Sequence, residues 1–222
     1  MRGLQRARLT WGAPRGVSEL LPVGVLASGR GSNLQALLDA AARPGFPAGV
    51  VVVISDREEA PALERARRHG VRAVWLNPKD FSERARYEDA ISQELEEARV
   101  GLVCLAGFMR ILGPAFVRRW TGRMLNVHPA LLPAFPGVAA QRMALDYGVK
   151  IAGATVHFVD EGVDTGPIVL QSAVPVLPDD TEETLAARIL TEEHRLFPEA
   201  VRLFAEGRLR IVGRRVVVEG GA

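Results

Sequence analysis

Residues 23–42 read VGVLASGRGSNLQALLDAAA, and this stretch decides the fold. Val23–Ala27 is a short apolar run, Ser28–Gly31 a glycine-rich turn, and Asn33–Ala42 a helical pattern. The same alternation continues downstream. Val50–Ile54 is apolar at every position, as a parallel strand covered on both faces should be. A helix is expected over Glu58–His69, ended by Gly70, and a strand over Arg72–Leu76. Phe81–Ala98 reads as an amphipathic helix with Ala85, Ile91 and Leu95 on its apolar side. Val100–Ala106 and Met124–Val127 are further strands. The predicted class is α/β: a doubly wound, mainly parallel, Rossmann-like sheet.

The pattern changes after Gly137. Ala140–Tyr147 reads as a short helix, and Ile151–Val159 and Ile168–Val176 as strands joined by the turn-rich Asp160–Pro167. Thr181–Glu206 is helical but contains Pro198, which predicts a kink or break near Phe197. Leu209–Val212 and Arg214–Val218 form a small hairpin about Gly213. With no repeat and no linker, residues 23–222 are expected to be one domain whose C-terminal part is more antiparallel. Residues 1–22 are expected to be a flexible N-terminal extension, because they lack the apolar core of a signal peptide.

Composition excludes several classes. Apolar residues make up 48% and charged residues 24% of 222, so the chain can bury a core and is not disordered. Cys104 is the one cysteine, which rules out an internal disulfide framework or a cysteine-built zinc site. No apolar run approaches the ~20 residues that span a bilayer. A cytoplasmic protein with no membrane partner is expected. The basic pI of 9.1 is local, since Arg2, Arg6, Arg8 and Arg15 stand against Glu19 alone in the first 22 residues. The remaining body is close to neutral, which argues against a nucleic-acid partner.

Three segments carry chemistry. The turn Ser28–Asn33 presents backbone N–H groups at a helix N-terminus, which suits a phosphate. Leu34 occupies the place of the third glycine of a dinucleotide fingerprint, so a monophosphate on Gly31, Ser32 and Asn33 fits better than a pyrophosphate. Ser32 or Asn33 merely capping the helix accounts for the residues equally well. In Asn126-Val127-His128-Pro129, at the carboxyl end of a strand, alternation puts Asn126 and His128 on one face roughly 6.5 Å apart. An Asn amide can donate to a developing oxyanion and an imidazolium can donate or protonate. The glycine-flanked loop Asp160–Gly166 could aim one acid at His128 and favour its charged form. His69 reads as a helix-end residue and His157 as structural, and no spacing points to a metal.

Taken together these segments resemble the glycinamide ribonucleotide formyltransferase family. The resemblance runs from about Val23 to Gly207 and rests on Ser-Gly-Arg-Gly-Ser-Asn-Leu-Gln at 28–35, Leu-Ala-Gly-Phe-Met-Arg-Ile-Leu at 105–112 and Leu-Asn-Val-His-Pro-Ala-Leu-Leu-Pro at 125–133. Val-His-Phe-Val at 156–159 and Val-Asp-Thr-Gly-Pro at 163–167 complete it. It implies a formyltransferase fold with Asn126, His128 and Asp164 as catalytic trio. It implies that Gly31, Ser32, Asn33 and Glu193 bind the ribonucleotide, and that Arg84, Met109, Arg110, Ile111, Leu112 and Asn126 bind the folate. The co-substrate would be 10-formyltetrahydrofolate, with no metal, and the partners small molecules, in a monomer or homodimer. The chain departs from the family pattern at Arg30, Ala134 and Val138–Gln141, and Arg30 or Arg142 would have to supply the missing positive charge near the phosphate.

Three rivals differ in chemistry. A formyltetrahydrofolate deformylase would use the same trio on water, but carries a regulatory domain of roughly 80 residues that 22 residues cannot hold. A methionyl-tRNA formyltransferase needs a basic surface and a further β domain. A non-catalytic nucleotide-binding module would use the first loop with Asp56 on a ribose hydroxyl, and would leave Asn126, His128 and Asp164 unexplained.

Overall fold

The computed structural model describes residues 20–220. Among the described residues one sheet of nine strands carries the fold. β1 (Leu21–Leu26), β2 (Ala48–Ser55), β3 (Arg72–Trp75), β4 (Leu102–Leu105) and β5 (Met124–His128) run parallel. They are linked through α1 (Ser32–Ala41), α2 (Pro61–Arg68), α3 (Arg84–Glu97) and α4 (Pro114–Arg119). After α5 (Ala140–Tyr147), β6 (Ile151–Phe158) pairs antiparallel to β5, and β7 (Ile168–Pro175) antiparallel to β6. α6 (Glu182–Ala205) leads to the hairpin of β8 (Leu209–Val212) and β9 (Arg215–Val218), which joins β7 through β9. The spatial order is β3-β2-β1-β4-β5-β6-β7-β9-β8.

Alternate residues of the central strands feed two cores, one on each face of the sheet. Val23, Val25, Leu102 and Cys104 pack with Leu34, Leu37, Leu196, Phe197 and Val201. Leu26, Val103 and Leu105 pack with Tyr87, Ile91, Leu95 and Trp120. Burial on both sides explains why these strands read as unbroken apolar runs. β1 sends its chain one way to β2 while β4 lies on its other side, so the carboxyl ends of β1 and β4 diverge. Such a switch point opens a crevice where ligands bind in open α/β sheets.

Several expectations need correction. β1 begins at Leu21, buried at 6% exposure, so Leu21 and Pro22 belong to the sheet rather than to an extension; residues 1–19 lie outside the described residues. Val51 is exposed, because only the second half of β2 is covered on both faces. In α3 the buried positions are Tyr87, Glu88, Ile91, Ser92 and Leu95, while Ala85 lies outside. α6 runs unbroken through Pro198. A proline removes one backbone bond, and here Leu196, Phe197, Ala200 and Val201 are buried on both sides of it and hold the helix together. The six-residue α4 was not expected from the pattern. Among the described residues no helix is long and apolar enough to cross a membrane.

Candidate active site

The first loop is shaped by close packing. Gly31 is the N-cap of α1 in the left-handed region, at φ 71°, where an L side chain is strained. A Cβ there would lie 2.8 Å from Ala62 Cα and 2.9 Å from Ala62 Cβ, so α2 also excludes one sterically. No side chain caps α1, so neither Ser32 nor Asn33 serves as a cap. Asn33 instead donates from Nδ2 to Glu193 Oε2 across 2.6 Å, tying α1 to α6. Glu193 is buried, at 7% exposure, and burial raises its pKa against the opposing Asn33 hydrogen bond. Two of the expected ribonucleotide residues, distant in sequence, therefore meet. Leu34 is fully buried in the core, where a fingerprint glycine would have left a gap.

The second loop follows β4. Leu105 is in register with Asn126, which sets residues 106–113 beside the end of β5. Ser28 Oγ accepts from the Met109 N–H at 2.9 Å, and Glu88 Oε1 accepts from the Gly113 N–H at 2.7 Å, so both ends of the loop are pinned. Met109 and Ile111 stand out at 65% and 70% exposure, apolar side chains offered to a ligand rather than to the core. Leu112 packs partly buried against the second core. The Arg110 guanidinium lies 5.5 Å from the Tyr87 ring centroid and 4.0 Å from Asp56 Oδ2. Arg84 sits at the far end, 3.5 Å from Glu88.

The third part is the end of β5. Asn126 and His128 do share a face, and both reach Asp164. His128 Nδ1 lies 3.3 Å from Asp164 Oδ2, and Asn126 Nδ2 donates to Asp164 Oδ1 at 3.3 Å. His128 Nε2 donates to the Phe135 carbonyl at 2.8 Å. Both ring nitrogens thus face oxygen acceptors, an arrangement that an imidazolium satisfies and a neutral ring does not. Asp164 also accepts from the Gly137 N–H at 2.8 Å. Burial alone would push the Asp164 pKa up; the His157 and Gly137 hydrogen bonds and the fields of both histidines hold it below the ordinary value.

Asp164 reaches inward because of its loop. Its backbone is left-handed at φ 53°, uncommon for a residue with a Cβ. Gly166 passes so close to β6 that a Cβ would sit 1.7 Å from the Phe158 carbonyl oxygen. Asp160 closes the turn by accepting from Thr165 Oγ1 and the Gly162 N–H. Of the three acids in this loop, Asp164 alone joins the cluster.

His157, expected to be structural, is in the cluster as well. The antiparallel register sets it opposite Asn126; its Nε2 is 3.2 Å from Asn126 Nδ2 and 3.5 Å from Asp164 Oδ1. Nδ1 donates to the Phe158 carbonyl, and Nε2 faces both the Asn126 amide and the Asp164 carboxylate. Behind the cluster the fully buried Thr155 donates to the Ala130 carbonyl and accepts from the Leu132 N–H, fixing the chain as it leaves β5. Arg142 pairs with Glu182 on the α5–α6 side. Among the described residues no group of His, Cys, Asp and Glu is placed to hold a metal.

Comparison with known proteins agrees with this geometry. A family model described as formyl transferase matches residues 22–201. The first curated relatives are trifunctional purine biosynthetic proteins; the chain is 52% identical over 192 residues to that of Drosophila pseudoobscura pseudoobscura and spans only 14% of its length. It is 43% identical to phosphoribosylglycinamide formyltransferase of Escherichia coli, covering 84% of this chain and 88% of that one. The solved structure of glycinamide ribonucleotide transformylase 1 from Symbiobacterium toebii superposes with a TM-score of 0.90 at 52% identity, covering 93% and 99% of the two chains. A formyltetrahydrofolate deformylase from Pseudomonas syringae shares 26% identity at a TM-score of 0.83. Since the family pattern spans every strand from β1 to β7, this chain belongs to the formyl transferase family.

Proposed function

We propose that the protein transfers a formyl group from 10-formyltetrahydrofolate to the amine of glycinamide ribonucleotide. The observation that carries this is the convergence of Asn126, His128 and Asp164 on one point at the carboxyl end of β5. That point lies two strands from a phosphate-type loop, about 10 Å away at ordinary strand spacing. Gly31, Ser32 and Asn33 hold the substrate phosphate, and Glu193 faces the ribose or glycinamide end. Met109, Arg110, Ile111 and Leu112 flank the pterin, and Arg84 meets the glutamate tail. Residues 20–220 act as one catalytic domain, in a cytoplasmic monomer or homodimer acting on small molecules.

The amine lone pair attacks the formyl carbon, forming a C–N bond and a tetrahedral oxyanion. Asn126 Nδ2–H donates to that oxygen, and the charged His128 does so by turning its Nε2–H from the Phe135 carbonyl to it. Both contacts of Asn126 Nδ2 are long, at 3.2 and 3.3 Å, so one exchanges readily for the developing oxyanion. Asp164 keeps His128 charged and, through water, takes the extra proton from the amine. Collapse then breaks the bond to the folate nitrogen, which leaves with the proton that the amine gave up. A water nucleophile would make the protein a deformylase; the phosphate-type loop and the higher identity to the transferases favour the amine.

Each well-placed oxyanion donor contributes about 3–4 kcal/mol, or 10²–10³ in rate. Formyl-glycinamide ribonucleotide production by Asn126→Ala and His128→Ala should fall by that order. Rates within a few-fold of the unaltered protein would overturn the assignment of both residues.

A further inference from the structure

Neither Arg30, whose side chain is exposed, nor Arg142, paired with Glu182, is held at the first loop. Another arginine is. Arg65, on α2, donates from Nε to the Arg30 carbonyl at 2.9 Å and from Nη1 to Gln35 Oε1 at 3.0 Å. Its Cδ would lie 3.3 Å from a Cβ on Gly31, so its stem lies along the turn. Arg67 and Arg68, its neighbours on α2, pair with Glu64. Arg65 makes no ion pair with a carboxylate among the described residues.

The contacts of α2 also orient the loop. The Ala62 N–H donates to the Gly29 carbonyl at 3.2 Å, and Arg65 to the next carbonyl. In a trans peptide the C=O and the following N–H point in opposite directions. Drawing the Gly29 and Arg30 carbonyls toward α2 therefore turns the Arg30 and Gly31 N–H groups away from it. Together with the first-turn N–H groups of Ser32 and Asn33, these make no hydrogen bond among the described residues. Across the loop the buried Glu193 spends Oε2 on Asn33, while its Oε1 has no partner among the described residues. Donors and acceptor are thus set out for a polar ligand.

Gln35 locks the arginine in place. Its Oε1 accepts from Arg65, while Nε2 donates to Asp39 Oδ1 at 2.7 Å and approaches His69 Nε2 at 3.3 Å. His69 Nδ1 donates to the Arg65 carbonyl, which leaves its Nε2 free to accept.

We propose that Arg65 is a positioning residue for phosphate recognition: it aims the loop amides and supplies a positive charge fixed against the loop. This rests on the ribonucleotide reading given above. Ribose 5-phosphate and inorganic phosphate, titrated calorimetrically, test it without reference to turnover. Arg65→Met should weaken ribose 5-phosphate about tenfold or more, the scale of a charge-assisted contact, and Arg65→Lys by less. In the transfer assay the KM for the ribonucleotide should rise by a similar factor, with kcat and the folate KM within about twofold. If Arg65→Met fails to fold, Gln35→Leu, which frees one guanidinium nitrogen, should show the same KM effect at about threefold. Unchanged phosphate binding in a folded Arg65→Met protein, or in Gln35→Leu where Arg65→Met is unfolded, would overturn the role of Arg65. Absence of ribose 5-phosphate binding in the unaltered protein would instead defeat the phosphate assignment on which it rests.

Discussion

The two ends of the active-site edge are built from opposite materials. After β1, the loop at Gly31 offers backbone amides, and its shape depends on a glycine pressed against α2. After β5, Asn126, His128 and His157 offer side chains that each lie within 3.5 Å of Asp164. A backbone site tolerates changes in its own side chains but not in its conformation. A side-chain site behaves the other way round.

The largest effects should come from the β5 end and should be catalytic. Asn126→Ala or His128→Ala should lower kcat by about 10²–10³ while leaving the melting temperature within a few degrees. A large loss of stability with little loss of rate would break the comparison. Next comes Gly31→Ala, which adds a Cβ against Ala62 at positive φ and should cost on the order of 3 kcal/mol of stability along with ribonucleotide affinity. Urea unfolding and the ribonucleotide KM would report both; an unaffected KM would show that the loop conformation is not the recognition element.

The acids at the two ends should respond to pH with opposite sign. The Asp164 pKa is lowered, so its contribution is fully present above the ordinary aspartate range and is lost as pH falls through the depressed value. The Glu193 pKa is raised, so its contribution is present below the ordinary glutamate range and is lost as pH rises through the raised value. Asp164→Asn should therefore cost stability at neutral pH and converge on the unaltered protein in acid. Glu193→Gln should match it in acid and gain relative to it toward neutrality. Parallel slopes in pH-dependent urea unfolding would contradict this pairing. The smallest effect should be Ser32→Ala, with a ribonucleotide KM within about threefold, because the loop amides remain.

Legibility in the sequence followed the same division. β1, β2 and β4 were readable because burial on both faces leaves apolar runs, and Asn126 and His128 were readable because alternation fixes their common face. His157 was not, since its place opposite Asn126 depends on the register of β6 against β5. The carbonyl of Phe135 and the amide of Gly137 bind His128 and Asp164 through backbone atoms, which carry no residue signature. Arg65 is one of several arginines in α2, and only the approach of that helix to Gly31 sets it apart. The continuity of α6 through Pro198 likewise depends on the core packed around it, which local pattern does not contain.

The central claim is that the nucleophile meeting this cluster is the amine of a ribonucleotide. It is tested most directly by following tetrahydrofolate release from 10-formyltetrahydrofolate with and without glycinamide ribonucleotide. Release that requires the ribonucleotide, matched by formylated product, is the expected result. Equal release in its absence would mean that water is the acceptor, and would contradict the account.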